Sequence, residues 1–192
     1  MRLLERDDAG GIRLTKDLPS NRVPPYAVLS HTWGPEEEEV GYKDLEDGRA
    51  ASKPGYDKIR FCADQAGRDG LKFFWVDTCC IDKSNSSELQ EAINSIFRWY
   101  RNAAKCYVYL ADVSTCKRDA DGVPSWTWAF QKCRWFARGW SLQELIAPTS
   151  VEFFSREKAR IGGRNSLEQM IQSVTGIPLE ALRGNPWLPL LS

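Results

Sequence analysis

The carboxylate of Glu144 is the first candidate for chemistry in this sequence. Glu144 lies in the segment RGWSLQELIAP, four residues after Trp140 and just before an apolar patch that runs into a proline. On a helix, Leu142, Leu145 and Ile146 define the predicted buried stripe, because they fall within about 100° of one another. Glu144 is then predicted at the flank of the core. A partly desolvated carboxylate there is suited to meet a cationic ligand, although many flank carboxylates only solvate a helix.

A second group of candidates follows two short apolar segments that are predicted to be buried strands. YAVLSH (26–31) and LKFFWVD (71–77) are rich in aliphatic and aromatic residues and end in polar ones. If both strands belong to a parallel sheet, their carboxyl ends meet at one edge, which is where ligands bind in open α/β sheets. The residues predicted at that edge are Ser30, His31, Thr32, Trp33, Asp77 and Cys80.

The same edge offers a different chemistry, in which Cys79 or Cys80 is a nucleophile and His31 is its base. No glycine-rich turn or helix start that would lower a thiol pKa is visible beside the pair, and adjacent apolar cysteines are more often packing groups. An isolated histidine is more often a strand-end side chain bonded to a neighbouring loop, and Asp77 is as well explained as a turn cap. These alternatives stay open on the residues alone.

Missing motifs and the charge balance exclude several classes of function. Neither GxGxxG nor GxxxxGK[ST] is present, so the chain is not an ordinary dinucleotide oxidoreductase or P-loop enzyme. One histidine and no Cys-x-x-Cys pair leave no ligand spacing for a structural zinc ion. The 26 basic side chains balance 26 acidic ones, so no net field attracts nucleic acid or an anionic membrane. We interpret the four glutamates at 36–39 as a solvated loop without a chemical role.

The apolar runs predict a cytoplasmic protein without a membrane span. The N-terminal sequence MRLLERDDAGG is too polar for a signal peptide, and no run approaches the roughly 18 apolar residues that a transmembrane helix needs. The six cysteines are expected to be reduced in that compartment.

Amphipathic segments alternate with the predicted strands along the chain. KCYVYLADV (105–113) and VEFFS (151–155) add two buried strands. The predicted helices share apolar residues at helical spacing. The first follows Pro54, and the second begins at a capping box of Ser87 and Gln90. The segment SWTWAFQKCRWFARGWSLQELIA is predicted to form one broken or two short helices, and the last helix is capped by Asn165 and closed by Gly176 and Pro178.

This alternation predicts the fold class. Strands joined by helices form βαβ units, so we expect an α/β domain with an open, mainly parallel sheet flanked by helices on both faces. A chain of 192 residues suits one domain, predicted over 1–183. The tail 184–192 has two prolines and no periodicity, which predicts a terminus or the start of a linker.

Three segments resemble the signature blocks of the fungal heterokaryon incompatibility (HET) domain. They are YAVLSHTWG, FFWVDTCCIDKSNSSELQEAINSIFRWYRNAAKCYVYLADV and RWFARGWSLQELIAP, in the family's order and with ordinary spacing over about 26–155. The chain departs from the usual pattern at Lys83, where the family commonly has Gln, and at Ser141, where it commonly has Thr. The second change keeps a hydroxyl, whereas the first alters a loop side chain.

HET domains in turn resemble TIR domains, which have a flavodoxin-like fold. YAVLSH corresponds to their first strand, FFWVD to their second strand ending in Asp, and GWSLQEL to their Trp-x-x-x-Glu-Leu helix. In TIR domains that cleave NAD the helix glutamate is catalytic, and the matching residue here is Glu144. The resemblance makes Ser30, His31, Thr32, Trp33, Asp77, Cys80 and Trp140 candidates for contacting the nucleotide, with Trp33 or Trp140 offering a stacking face.

The resemblance therefore implies a cell-death module of fungal self/non-self recognition that acts as an NAD glycohydrolase, with NAD as substrate and no bound cofactor or metal. It further implies homo-oligomers, because TIR-type sites are often completed across a subunit interface, and a fused or separate regulatory partner. Two alternatives remain. A non-enzymatic adaptor would signal by homotypic assembly, and a cysteine hydrolase would depend on Cys80 and His31.

Overall fold

The architecture is an open sheet with helices packed on both of its faces. The computed structural model describes residues 1–7, 10–116 and 126–183, so the predicted tail lies outside the described residues. The strands found in these segments are β1 Leu4–Arg6, β2 Ile12–Leu14, β3 Tyr26–His31, β4 Phe73–Val76, β5 Lys105–Leu110, β6 Val151–Ser155 and β7 Arg160–Gly163. The α-helices are α1 Tyr42–Glu46, α2 Tyr56–Arg68, α3 Ser86–Asn102, α4 Trp126–Gln131, α5 Ser141–Ile146, α6 Glu168–Thr175 and α7 Leu179–Leu182.

The strand order confirms the predicted α/β class. The sheet runs β2-β1-β4-β3-β5-β6-β7, and its four central strands are parallel. Antiparallel strands close both edges. Among the parallel strands the spatial order is second, first, third, fourth, which is the doubly wound arrangement of flavodoxin-like folds. β3 therefore lies at the centre of the sheet, and all six of its residues are buried.

The two faces of the sheet carry different helices, as neighbouring residues on β6 show. The Phe154 ring contacts Phe61 of α2, whereas the Phe153 ring contacts Phe130 of α4 and the indole of Trp135. Successive side chains of a strand point to opposite faces. We call the side of α2 the first face and the side of α3, α4 and α5 the second face.

The four predicted strands are confirmed, with two of them shorter than expected. β4 covers only Phe73–Val76 of the predicted 71–77, and β5 covers Lys105–Leu110 of the predicted 105–113. The sequence reading missed β1, β2 and β7. Each has three or four residues, which is too short for a period-two pattern, and β7 contains two glycines that strands disfavour.

Two of the predicted helix caps are wrong. The Oδ1 atom of Asn85 accepts hydrogen bonds from the amides of Ser87 and Glu88, so α3 begins two residues earlier than expected. The reason is that Asn at the cap satisfies two unpaired amides at once. The last long helix begins at Glu168 rather than after Asn165. The left-handed Gly176 ends it as predicted.

Residues 126–147 contain two short helices separated by a 3-10 turn, which is one of the two arrangements predicted for this region. Helix α4 is followed by a 3-10 turn, Arg134–Ala137, and then by α5, whose six residues carry Glu144. A helix this short depends on tertiary contacts rather than on its own propensity.

Arg164 holds the carboxyl end of α5 in place. The residue is 8% exposed. Its guanidinium donates to the carbonyl oxygens of Leu145 and Pro148 at 2.9 Å and to that of Thr149 at 3.3 Å. These carbonyls have no further turn of helix to bond to, so the side chain replaces the missing amides. Burial lowers the pKa of Arg164 from its usual value.

All six cysteines lie in described segments and are free thiols. Within those segments no helix is both long and apolar enough to cross a bilayer.

Replacing Arg164 with Met is expected to lower the free energy of unfolding by about 3 kcal/mol, because several buried carbonyls lose a charged donor. Urea denaturation followed by tryptophan fluorescence measures this loss. The matched control is Arg160→Met, which removes an exposed ion pair with Glu152 and should cost no more than about 1 kcal/mol. Equal losses in the two variants would contradict the role given to Arg164.

Candidate functional site

Helix α5 turns Glu144 into the protein rather than along its flank. Glu144 is 3% exposed and shares the buried face of the helix with Ser141 and Leu145. Leu142, which was predicted to be buried, is 50% exposed. The predicted stripe was therefore wrong at Leu142 and correct at Leu145. Glu144 takes part of the buried face because a carboxylate can be buried when its hydrogen bonds are replaced inside the protein.

The Glu144 carboxylate receives three hydrogen bonds. The Ser30 hydroxyl donates to Oε2 at 2.5 Å, and Arg138 donates to Oε2 at 2.9 Å and to Oε1 at 3.2 Å. The Arg138 contact is bidentate, which is the strong geometry for a guanidinium and a carboxylate. Glu144 therefore has a fixed orientation in a largely dry environment.

The donor from Ser30 is oriented by Trp135. The indole Nε1 of Trp135 donates to Ser30 Oγ at 2.7 Å, and the Trp135 side chain is fully buried. Because this N–H occupies an acceptor position on Oγ, the Ser30 proton points toward Glu144. The chain Trp135, Ser30, Glu144 thus links the 3-10 turn, β3 and α5 through polar groups alone.

Asp77 provides a second carboxylate close to Glu144. It follows β4 directly, its side chain is 13% exposed, and its Oδ2 accepts a hydrogen bond of 2.9 Å from the indole of Trp33. Burial, and next to it the negative charge of Glu144, raise the pKa of Asp77 to about 6. Lys83 and Arg138 oppose this shift. Asp77 can therefore exchange a proton near neutral pH.

The two carboxylates lie on the wall of a cleft of about 450 Å³ on the second face. Its floor is apolar, and its opening carries the exposed rings of Trp33 and Trp140 and the cations of Lys83 and Arg138. The Lys83 ammonium lies over the Trp33 ring, 3.7 Å from the centroid. The remaining lining residues are Ile81, Leu89, Ala92, Ile93, Ile96 and Gly139. The volume suits one small organic ligand.

His31 lies behind the cleft and is 1% exposed. Its Nδ1 is 3.8 Å from Asp77 Oδ1, and its Nε2 is 4.0 Å from Glu39 Oε2. Burial, and then the charges of Lys58 and two other cations, lower the pKa of His31 well below its usual value, so the ring is neutral. Neither ring nitrogen has a hydrogen-bond partner among the described residues.

The solvated loop predicted at 36–39 is only partly correct. Glu36, Glu37 and Glu38 are exposed, but the Glu39 side chain is 11% exposed and pairs with Lys58 of α2. Like charges in sequence do not have to share one environment, and Glu39 finds a buried cation that its neighbours lack.

The structure brings only some of the predicted site residues together. Trp33, Asp77, Trp140 and Glu144 line the cleft, and Ser30 supports Glu144 from beneath. Thr32 is half-buried and is not part of the lining.

Cys80 also lies away from the cleft. Its Sγ accepts a hydrogen bond from the Val76 amide at 3.3 Å, and it lines a different cavity. The neighbouring Cys79 thiol donates to the Val76 carbonyl, and burial raises its pKa well above the usual range. The ring nitrogens of His31 face the carboxylates of Glu39 and Asp77, whereas both cysteine sulfurs bond to the Val76 backbone, so the geometry offers the cysteine–histidine alternative no support.

The sequence analysis missed three side chains at the candidate site: Arg138, Trp135 and Lys83. Arg138 stands six residues before Glu144 in the quoted RGWSLQEL segment, so a charge complement to the glutamate was visible there. Trp135 was indistinguishable from the other tryptophans, because only the fold places it beside Ser30. In the described part of the chain, no cluster of three His, Cys, Asp or Glu side chains is suited to a metal ion.

Comparison with known proteins gives two findings. The family described as heterokaryon incompatibility protein (HET) matches residues 26–123, about half of the chain. The vegetative incompatibility protein HET-E-1 of Podospora anserina is 84% identical over 186 residues, which cover 97% of this chain and 14% of that protein. The chain thus spans about a seventh of the length of this relative. No solved structure gives a significant match.

Arg138→Met is expected to lower the free energy of unfolding by about 3 kcal/mol, because it leaves Glu144 buried without its cation. Adding Glu144→Gln should recover at least half of the loss, since the unpaired charge is then gone. Urea denaturation of the two single variants and the double variant measures this coupling. Purely additive losses would show that the two side chains do not form a buried charge pair.

Asp77→Asn is expected to stabilise the fold at pH 8 by up to about 3 kcal/mol, because a pKa of about 6 against 3.8 in the unfolded chain opposes folding once the group ionises. The stability that protonated Asp77 contributes is present below pH 4 and is lost as the pH rises through 6. The gain should therefore shrink between pH 8 and pH 4 in urea titrations. The exposed Asp64→Asn variant is the control and should change stability by less than about 0.5 kcal/mol at every pH.

Proposed function

The chain belongs to the heterokaryon incompatibility (HET) family, and on that premise we propose that it is a cell-death effector of fungal self/non-self recognition that hydrolyses NAD to nicotinamide and ADP-ribose. The proposal extends the incompatibility role named for the similar Podospora anserina protein to a chemical activity.

The observation that carries this proposal is the pair of carboxylates, Asp77 and Glu144, on the wall of an apolar cleft. A buried negative charge costs free energy, and a cationic ligand offsets that cost by entering beside it. The nicotinamide ring of NAD carries a positive charge and is flat and largely apolar, so it matches both the charge and the floor of the cleft. A neutral sugar has neither the positive charge nor the flat apolar surface, and an anionic sugar would in addition be repelled by the carboxylates.

The chemistry of NAD explains how one oriented glutamate can be enough. When the bond between the ribose C1′ and nicotinamide breaks, the electron pair moves onto the ring, which leaves as a neutral molecule without needing an acid. Positive charge then develops on the ribose. Glu144, held by Ser30 and Arg138, is already oriented and stabilises that charge without reorganising in the transition state.

The rest of the bound nucleotide is expected to extend out of the cleft beside Lys83. Among the described residues Lys83 has no carboxylate partner within ion-pair distance, and its ammonium is held over the Trp33 ring at the opening. A pyrophosphate is a strong ligand for such an ammonium. The exposed ring of Trp33 or Trp140 then provides a stacking surface for the nicotinamide or the ribose.

Self-association is part of the proposal. Ile93 and Trp140 line the cleft, Leu142 follows Trp140 closely on α5, and these apolar side chains are 45–50% exposed. A second copy covering this rim would exclude water from the carboxylates and strengthen their interaction with a cation. In a longer protein such as the HET-E-1 relative, further regions would control that clustering.

The test measures nicotinamide release from NAD by the purified chain, alone and fused to a tetramerising coiled coil. We expect release from the clustered protein and a loss of about 10²- to 10³-fold in Glu144→Gln, because the variant keeps the size of the side chain and removes its charge. The matched control is Glu168→Gln on α6, which removes a carboxylate that pairs with Arg183 outside the cleft lining and should keep full activity.

The same variants expressed in a filamentous fungus connect the chemistry to cell death. If Glu144→Gln keeps its fold, clusters normally and still kills cells, the NADase proposal is wrong and the non-enzymatic assembly domain takes its place. Loss of killing in Glu144→Gln, with killing retained in Glu168→Gln, is the expected outcome.

A further inference from the structure

Four buried polar atoms face one another beside the cleft without forming hydrogen bonds. They are Nδ1 and Nε2 of His31, Oδ1 of Asp77 and Oε2 of Glu39, and no described residue bonds to any of them. The gaps of 3.8 Å and 4.0 Å exceed hydrogen-bond length by less than 1 Å, so a small movement would close both. Buried polar groups without partners are rare and carry a cost, which makes this cluster a functional candidate.

The cluster crosses the edge of the sheet from one face to the other. Ser30 and His31 are adjacent on β3, so their side chains leave the strand on opposite sides. Asp77 opens into the cleft on the second face, whereas Lys58 belongs to α2 on the first face and pairs with Glu39. His31 therefore stands between the cleft and a buried ion pair behind it.

A count of protons shows how the gaps can close. A neutral imidazole has one N–H and one lone pair, so it can bond to both carboxyl groups at once only if one of them is protonated and donates a hydrogen bond to the lone pair. In one arrangement a protonated Asp77 donates from Oδ1 to Nδ1, and Nε2–H donates to Glu39. When Asp77 loses that proton, the other tautomer becomes favourable, in which Nδ1–H donates to the Asp77 carboxylate.

We propose that Asp77, His31 and Glu39 form one proton-sharing chain, in which His31 is the positioning residue through which the Glu39–Lys58 pair sets the protonation of Asp77. This inference deepens the proposed NAD hydrolysis and rests on it for its catalytic meaning, but the chain itself can be observed without any turnover.

The reaction gives Asp77 a definite task. Hydrolysis forms a bond from a water oxygen to the ribose C1′ while the electron pair of the broken bond leaves with nicotinamide, so the water must lose one proton. Glu144 already accepts three hydrogen bonds, whereas the Asp77 carboxylate accepts one, from the Trp33 indole to its Oδ2. Asp77 is then the acceptor of that proton and passes it to solvent after the product leaves.

Other charged groups also act on Asp77, His31 and Glu39, and the test must separate their effects on protonation from the effect of the Glu39–Lys58 pair. Glu144 favours protonated Asp77, whereas the nearby cations favour its ionised form and keep the His31 ring neutral. The ionisable groups around the chain, besides its own members, are Lys58, Cys79, Lys83, Tyr100, Arg138 and Glu144.

The experiment is a pH titration of the ¹⁵N-labelled chain by NMR. The sequence contains one histidine, so every imidazole nitrogen signal belongs to His31. Trp33 donates its indole N–H to Asp77, so this signal, identified by its loss in Trp33→Phe, reports the ionisation of Asp77. We expect both signals to change together near pH 6, with Nε2 protonated below the transition and Nδ1 above it. In Asp77→Asn the transition should be absent.

A charge-balanced variant tests the coupling. Glu39→Gln with Lys58→Gln removes one charge of each sign, and the new amide at position 39 donates to Nε2, which turns Nδ1–H toward Asp77. The Trp33 transition should then move down by about one pH unit. In a His31→Phe background the same pair of substitutions should move it by less than about 0.3 unit.

Two results would contradict proton sharing through His31. One is a histidine ring that keeps one tautomer from pH 4 to pH 8, and the other is an equal shift of the Trp33 transition with and without His31. The first uses the unmodified protein and holds even if His31→Phe does not fold. If the tautomer switch is present but the clustered protein releases no nicotinamide, the proposed function is wrong, whereas the proton sharing between Asp77, His31 and Glu39 is supported. With activity present, the acid limb of kcat/KM should move with the Trp33 transition in each variant.

Discussion

Burial of the Glu144 carboxylate is the constraint on which the rest of the structure depends. A charge can leave water only if protein donors replace its hydration, and Glu144 obtains them from Ser30 and Arg138. One donor comes from the central strand, the other follows the 3-10 turn, and the carboxylate itself lies on α5. These elements must be placed together before the carboxylate is stable, so the fold and the site are formed by the same contacts. Arg164 adds to this by fixing the other end of α5.

The central strand β3 serves both faces of the sheet with two consecutive residues. Ser30 points to the second face and orients Glu144, while His31 lies against the side of α2, near Glu39 and Lys58. Only a strand with neighbours on both sides can hold two buried polar groups so firmly, because its backbone has no freedom to turn them outward. The position of β3 at the centre of the parallel strands therefore decides which side chains can cooperate.

The sequence predicted the elements better than the interactions between them. The four central strands and the long helices were visible because apolar periodicity depends on local spacing, which also brought Asp77 to the correct edge. The burial of Glu144 and Glu39 was not predictable in the same way. Glu144 depends on Arg138, which follows a separate 3-10 turn, and Glu39 depends on Lys58, which is distant in the sequence. Lys58 lies 19 residues from Glu39, and no local pattern marks such a pair. The edge strands were missed because they are too short for a pattern.

The two carboxylates respond differently to a cationic ligand, and this difference suits the proposed reaction. Glu144 already has Arg138 as its counter-charge, so its state depends little on what enters the cleft. Within the described segments no Lys or Arg lies within ion-pair distance of Asp77, and the charge of Glu144 favours its protonated form. A positively charged nicotinamide would favour ionised Asp77 for the same Coulombic reason. Binding of the substrate would then prepare the proton acceptor. The positive charge passes to the ribose when the bond breaks and is lost when water adds to C1′, which lets Asp77 keep the proton until the product leaves.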